Sequence, residues 1–192
     1  ALYRAVTLYA MENGMISANG DIDVPALVSK LPELDIHFEY TPEGSHTYIG
    51  DRCVDSLIRT IEVSSHVSPI SVLPEVRNFV DRKLVEYGKN KRIVMDGRDI
   101  GTSVFPNADL KIFMTADDNV RAERRLKEMQ ASGKAPDFEA VLKNLKERDY
   151  IDSHRKTSPL RKADDAIVLD NSNMTMDDQM VWIRGLISDK FK

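Results

Sequence analysis

Apolar residues recur along the chain with two periods, and the switches between them mark out its elements. Leu2, Val6, Tyr9 and Ala10 have helical spacing, with Gly14 as the expected stop. A short second helix is expected between Asp21 and Lys30, with Asp21 or Asp23 as cap and Pro25 near its start. The period then drops to two. Ile36 to Tyr40 alternates, Pro42-Glu43-Gly44 reads as a turn, and His46 to Ile49 alternates again, which is the pattern of a hairpin. Asp51 to Val54 adds a third strand, so a small antiparallel sheet is expected from about 34 to 56. Helical spacing returns at Thr60. A further helix starts at Pro74 and carries Val76, Phe79, Val80, Leu84 and Tyr87 before Gly88.

Beyond Gly88 the pattern is α/β. Arg92-Ile93-Val94-Met95 is short, apolar and followed by Asp96, as expected of a buried parallel strand, and Leu110 to Met114 is another. Helices are expected at roughly 119–132 and 138–155, with Asp118 and Asp137 near their starts and Gly133 after the first. Ala166 to Leu169 makes a last strand, and Thr175 or Asp177 opens a terminal helix. Strands alternating with helices predict a doubly wound parallel sheet, interrupted by the antiparallel insert.

Composition narrows the classes of function. The 192 residues are 42% hydrophobic and 30% charged, enough for one sizeable core and ordinary for a soluble protein. A net charge of -4 argues against a general electrostatic grip on nucleic acid, so any bound anion must be met by local arginines. Cys53 is the one cysteine, which excludes an intrachain disulfide and fits a cytoplasmic location. Neither a membrane span nor a signal peptide is expected.

Candidate chemistry gathers around Asp96-Gly97-Arg98-Asp99-Ile100-Gly101-Thr102. Ligand sites in parallel sheets form beyond the carboxyl ends of strands. This run sets two carboxylates, an arginine and two glycines at such an end. Asp96 resembles the carboxylate that assists Mg²⁺ in phosphoryl transfer. The plainer alternative is a polar loop whose aspartates cap turns. Arg121, Arg124 and Arg125 share one helix face, and so do Arg148, Asp152 and Arg155 at i, i+4 and i+7. Guanidinium groups suit a reaction that must neutralise several phosphates, although Glu123, Glu128 and Glu147 are also ready partners for an ordinary solvated face. His37, His46, His66 and His154 show no metal-ligand spacing, and Cys53 reads as a strand residue rather than a nucleophile.

Taken together these residues resemble the bacterial cytidylate kinases. The matching stretches are Ala-Leu-Tyr-Arg-Ala at 1–5, Ile-Arg-Thr-Ile-Glu-Val at 58–63, Ser68, and Pro74 to Arg77. They continue with 96–102, Phe105-Pro106, Lys111 to Phe113, Arg121 with Arg124 and Arg125, and Lys-Glu-Arg-Asp at 146–149. Asp152, Arg155, Ser-Pro-Leu at 158–160 and Ala166 to Asp170 complete them. The resemblance implies ATP-dependent phosphorylation of CMP and dCMP with Mg²⁺, by an enzyme expected to be a cytoplasmic monomer with no nucleic-acid or membrane partner. It also implies a P-loop kinase-type parallel sheet with helices on both faces, in a single kinase domain over 1–192. Its core would be 1–20 and 74–192, its monophosphate-binding insert about 21–73, and its lid about 119–136.

Residue by residue, the resemblance gives Arg77, Asp99 and Arg155 to the cytosine. That is chemically sensible, because the exocyclic amine needs an acceptor and the ring nitrogen and carbonyl need donors. Ser68, Arg148 and Asp152 match positions at the sugar. Arg4 and Arg98 match arginines on the CMP phosphate, with Arg59 a further candidate. Arg121, Arg124 and Arg125 fall where the lid of such kinases closes on ATP. Arg98, Asp96, Arg124 and Arg125 would carry the catalysis, with Asp96 toward the metal.

One departure stands out. Such kinases begin with a strand and a Gly-rich loop ending in Gly-Lys-Gly-Thr or a near relative, and these 192 residues contain none. The family's Asp-Ser-Gly before the Ala-Leu-Tyr-Arg segment is also absent, and the first residue is Ala1 rather than Met. The chain is therefore expected to be an incomplete representation of a complete enzyme. Two other readings remain: a kinase of the same fold acting on another small substrate, such as a UMP/CMP or shikimate-type enzyme, and a nucleotide-binding fragment without activity. The three-stranded insert and Asp99 after Arg98 argue against the first, and an intact mass distinguishes the second.

Overall fold

A computed structural model describes residues 1–90, 92–131, 133 and 137–191. The chain divides into two compact units, one formed by 1–94 with 155–157 and the other by 95–154 with 158–192. Lys91, Ser132, Lys134, Ala135, Pro136 and Lys192 lie outside the described residues, and four of these belong to the expected lid.

The first unit is built on helix α1, Leu2–Glu12, which ends before Gly14 at φ 68°, a conformation glycine adopts without strain. Helix α2, Val24–Lys30, starts where Pro25 and a cap allow it. Of the two candidate caps it is Asp23 whose carboxylate accepts the Ala26 N–H. Strands β1 (Ile36–Thr41), β2 (Gly44–Ile49) and β3 (Arg52–Cys53) form the expected antiparallel sheet, turned at Pro42-Glu43 with Thr41 opposite Gly44. Alternation decides its two faces. Ile36 pairs with Ile49 and Phe38 with Thr47 on the face toward the core, leaving His37, Glu39, His46 and Tyr48 on the other. Helices α3 (Ile61–Ser71, capped by Thr60) and α4 (Pro74–Gly88) close the unit. Ala5, Val6, Leu27, Ile36, Val54, Val63, Ile70, Val76 and Val80 form one continuous interior, so α1 and the 21–73 segment share a core.

In the second unit, β4 (Ile112–Thr115) and β5 (Ile167–Asp170) pair in parallel, Ile112 opposite Ile167 through Thr115 opposite Asp170. With its helices this gives a mixed α/β protein with a parallel sheet and a small antiparallel one, consistent with a P-loop kinase fold. Helices α5 (Asp118–Ala131) and α6 (Phe138–His154) pack through Ala122, Met129 and Val141, with Leu126, Phe138, Leu142 and Leu145 around them. Asp137 caps α6 as expected. At α5 the capping carboxylate is Asp117, one residue before the expected Asp118, and it accepts from the N–H groups of Asn119 and Val120. Helix α7, Met176–Lys190, opens at Thr175.

Two expectations fail. Arg92–Met95 forms no strand. A parallel strand exists only through a ladder to a neighbour, β4 and β5 pair with each other, and Val94 stands 99% exposed. Nor are β4 and β5 buried on both faces, since Met114 and Val168 are half-exposed and only Leu169 of β5 is fully covered. Among the described residues no helix is long and apolar enough to cross a membrane.

Candidate functional site

In the first unit, polar groups are buried where α3 meets the start of α4. Ser68 and Ser71 lie on consecutive turns of α3, and the Ser71 hydroxyl donates to the Ser68 carbonyl at 2.9 Å. Arg77, on the first turn of α4, is 1% exposed. Its Nη1 donates to the Ser71 carbonyl at 3.2 Å, Asp81 lies one turn on at 4.0 Å, and the guanidinium sits 5.5 Å from the centre of the Tyr3 ring. Arg155 is also buried, with Nη1 3.4 Å from Ser71 Oγ. Three expected substrate residues, Ser68, Arg77 and Arg155, are thus brought together around Ser71.

Arg4 is turned inward from α1, donating to the Ile58 carbonyl at 2.8 Å and reaching Ser64 Oγ at 3.5 Å, while Arg59 is exposed. Ser71, Tyr3 and Asp81 were not singled out from sequence. The i+4 spacing of Asp81 from Arg77 was a legible signal, whereas nothing in the spacing of Ser71 announced its two guanidinium partners.

In the second unit, Asp96 and Arg98 are exposed and Asp99 is buried. With no strand at 92–95, the run starts from an irregular segment rather than a strand end. The backbone carbonyl of Asp99 accepts from the N–H groups of Thr102, Ser103 and Val104 and from the Thr102 hydroxyl, and the Val104 and Phe105 N–H bonds to the Asp99 and Ile100 carbonyls close a single π-type turn at Ile100–Val104. Such turns are frequent at functional sites.

The Arg98 Nε forms an ion pair with the Asp152 carboxylate, which is buried near the end of α6. Arg148 is half-buried one turn earlier. The expected common face of Arg148, Asp152 and Arg155 breaks at its last member. Helix α6 stops at His154, and Arg155 belongs to the other unit. The chain leaves the helix through Ser158, at φ 48°, with the Leu160 N–H bonded back to the Asp152 carbonyl.

The three arginines of α5 do share a face, and each finds its own partner. Arg121 pairs with Asp149 of α6 at 2.5 Å and with Asp118 at 3.3 Å, and these carboxylates raise its already high pKa. Arg124 donates to the Asn171 side chain at 2.8 Å and the Asn171 carbonyl at 2.7 Å, holding the β5–α7 connection. Arg125 pairs with Glu128 at 3.0 Å. Asn171, which also donates to Gln179 at 3.0 Å, is a buried hub that sequence reading passed over.

Comparison with known proteins places these features in a wider set. The family model described as cytidylate kinase matches residues 1–186. A cytidylate kinase of Bacteroides thetaiotaomicron is 52% identical over 186 residues, covering 95% of this chain and 80% of its own length. One from Porphyromonas gingivalis is 48% identical over the same span and coverage. One from Flavobacterium johnsoniae is 46% identical, covering 100% of this chain and 84% of its own length.

Proposed function

The chain belongs to the cytidylate kinase family, and from that premise we propose how its own residues serve that family's reaction, the phosphorylation of CMP and dCMP. Arg77 and Arg155 donate to the cytosine carbonyl and ring nitrogen, and Asp99 accepts from the exocyclic amine. Ser68, Arg148 and Asp152 meet the sugar. Arg4 and Arg98, with Arg59, neutralise the CMP phosphate. The reading rests chiefly on the two guanidinium groups buried together at Ser71. Burying such groups is costly unless their donors are met, and preorganised donors suit recognition of a base.

ATP is the donor in this proposal. Arg121, Arg124 and Arg125 share the face of α5 that would meet its phosphates, each exchanging a present protein partner for a phosphate oxygen. Asp96 fits a magnesium ligand, being an exposed carboxylate beside Gly97, and magnesium takes one or two carboxylates while keeping much of its water. When bound, the ion neutralises charge on the phosphates. The protein's remaining task is to hold the two substrates in line and keep water out, with arginines placed where charge develops. A monomer belongs to the same proposal and is tested by size-exclusion chromatography, and so does a cytoplasmic location, with which the single cysteine is in keeping.

The test is a substrate panel with ATP as donor. CMP and dCMP should be phosphorylated, with UMP at least about tenfold less efficient, since UMP presents a carbonyl where Asp99 needs a donor. Equal efficiency with UMP would favour a UMP/CMP-type enzyme instead. The same assay on a preparation whose intact mass matches residues 1–192 tests the expectation that these residues, which contain no Gly-Lys-Gly-Thr-type loop, do not turn over by themselves.

A further inference from the structure

The solvent-facing side of the small sheet carries a cluster that the phosphotransfer reading leaves unused. Tyr48 of β2 lies opposite Cys53 of β3. Continuing that antiparallel register by two residues sets His46 opposite Asp55, with Cys53 and Asp55 on one face because side chains alternate. His46 Nδ1 and Asp55 Oδ2 are 3.0 Å apart, and one ligand atom from each of His46, Cys53 and Asp55 falls within 4.8 Å of the other two.

The atoms behind this triad are also arranged. His46 Nε2 is 3.1 Å from Thr41 Oγ1, and Asp55 Oδ1 accepts the Thr47 N–H at 3.0 Å. Outer partners of this kind orient metal-binding imidazoles and carboxylates.

We propose that His46, Cys53 and Asp55 form a binding site for a zinc-class divalent transition metal. Thiolate, imidazole and carboxylate are the ligand types such ions take, and the exposed side of the cluster leaves a fourth position to water. The charges balance, since one thiolate and one carboxylate neutralise a divalent ion and the imidazole binds uncharged. On binding, the thiol proton leaves to solvent. In the metal-bound form the neutral imidazole would carry its proton on Nε2, where Thr41 Oγ1 accepts it, and Nδ1 would exchange its contact with Asp55 for the metal. The ion would tie the end of β2 to the chain that leaves β3. The site rests on no part of the substrate assignment.

The full chain, stripped with a chelator, is titrated with Co²⁺. A near-ultraviolet sulfur-to-cobalt charge-transfer band should grow to saturation at a single equivalent, and added Zn²⁺ should remove it. Because Cys53 is the one cysteine of the 192 residues, its alkylation by iodoacetamide reads the same site directly, and Zn²⁺ should slow it at least about tenfold. Cys53→Ser changes one exposed atom and should abolish the band with an unchanged circular dichroism spectrum. Thr41→Val removes the outer partner of the imidazole together with the hydroxyl's turn bonds to Glu43 and Gly44, and should weaken binding about tenfold with an unchanged circular dichroism spectrum. A missing charge-transfer band, an alkylation rate indifferent to Zn²⁺, or equally tight binding in Cys53→Ser each overturns the site and leaves a His46–Asp55 pair that simply fastens the hairpin.

Discussion

Asp99 and Asp152 are both buried carboxylates, and at the scale of single residues their proposed roles separate cleanly. Asp99 is proposed to read the base. Its backbone carbonyl accepts the bonds that open the π-type turn, and Asp99→Ala retains that carbonyl while removing the acceptor side chain. Losing a charge-assisted bond in a site built for it costs about 2–3 kcal/mol, so the CMP KM should rise tens-fold or more. The preference for CMP over UMP should shrink in parallel. Unchanged kinetics and an unchanged ratio would remove Asp99 from the base site.

Asp152 is proposed to serve the sugar. Asp152→Ala should lower kcat/KM with both CMP and dCMP and shift the ratio between them, leaving the choice of cytosine over uracil intact. If its pair with the 39%-exposed Arg98 is only structural, the melting temperature falls and kinetics stay normal. Measuring both quantities on one variant decides. The individual candidates were legible because charged types stood at suggestive spacings. Ser71 and Asn171 were not, because an uncharged side chain advertises no partner until packing supplies one.

Elements were legible wherever their signals are local. The hairpin, the caps at Asp23 and Asp137 and the stop before Gly14 all act within a few residues, and all formed. Helix α7 shows how strong such a signal is. Thr175 Oγ1 accepts the Asp178 N–H at 3.1 Å, and Asp178 accepts in return from the Thr175 N–H at 2.9 Å. Thr175→Ala should lower the melting temperature by about 2–4 °C at neutral pH.

The Thr175 bonds also depress the Asp178 pKa below its ordinary value of 3.8. A carboxyl depressed in the folded state stabilises above its ordinary pKa, and that share is lost as pH falls through the depressed value. The deficit of Thr175→Ala against the parent should therefore narrow in acid below pH 3.8, and thermal melts of both proteins across that range check it. A deficit that stays constant would mean the hydroxyl caps without help from the carboxylate.

At the scale of the whole molecule, burial is uneven. In the first unit Ala5, Val6, Ala10, Val76 and Val80 have no exposure at all, whereas α5 and α6 meet through three fully buried apolar side chains and β5 covers only Leu169. Regions with few buried contacts open at lower free energy. Amides of α1 and α4 should exchange with deuterium at least about tenfold more slowly than those of β4 and β5. Equal protection across both units would show a single cooperative fold.

The sequence by itself determined the family, the helices, the hairpin and the two strands at 112–115 and 167–170, because periodicity, caps and turn residues act over one or two turns of chain. Only the tertiary structure decided that Arg92–Met95 would find no strand partner, that Arg155 would leave its helix for the other unit, and that Arg77 and Arg155 would meet at Ser71. It alone set His46, Cys53 and Asp55 on one face. Each of these depends on register or packing between segments far apart in sequence, and no local pattern encodes which distant neighbour a side chain will meet.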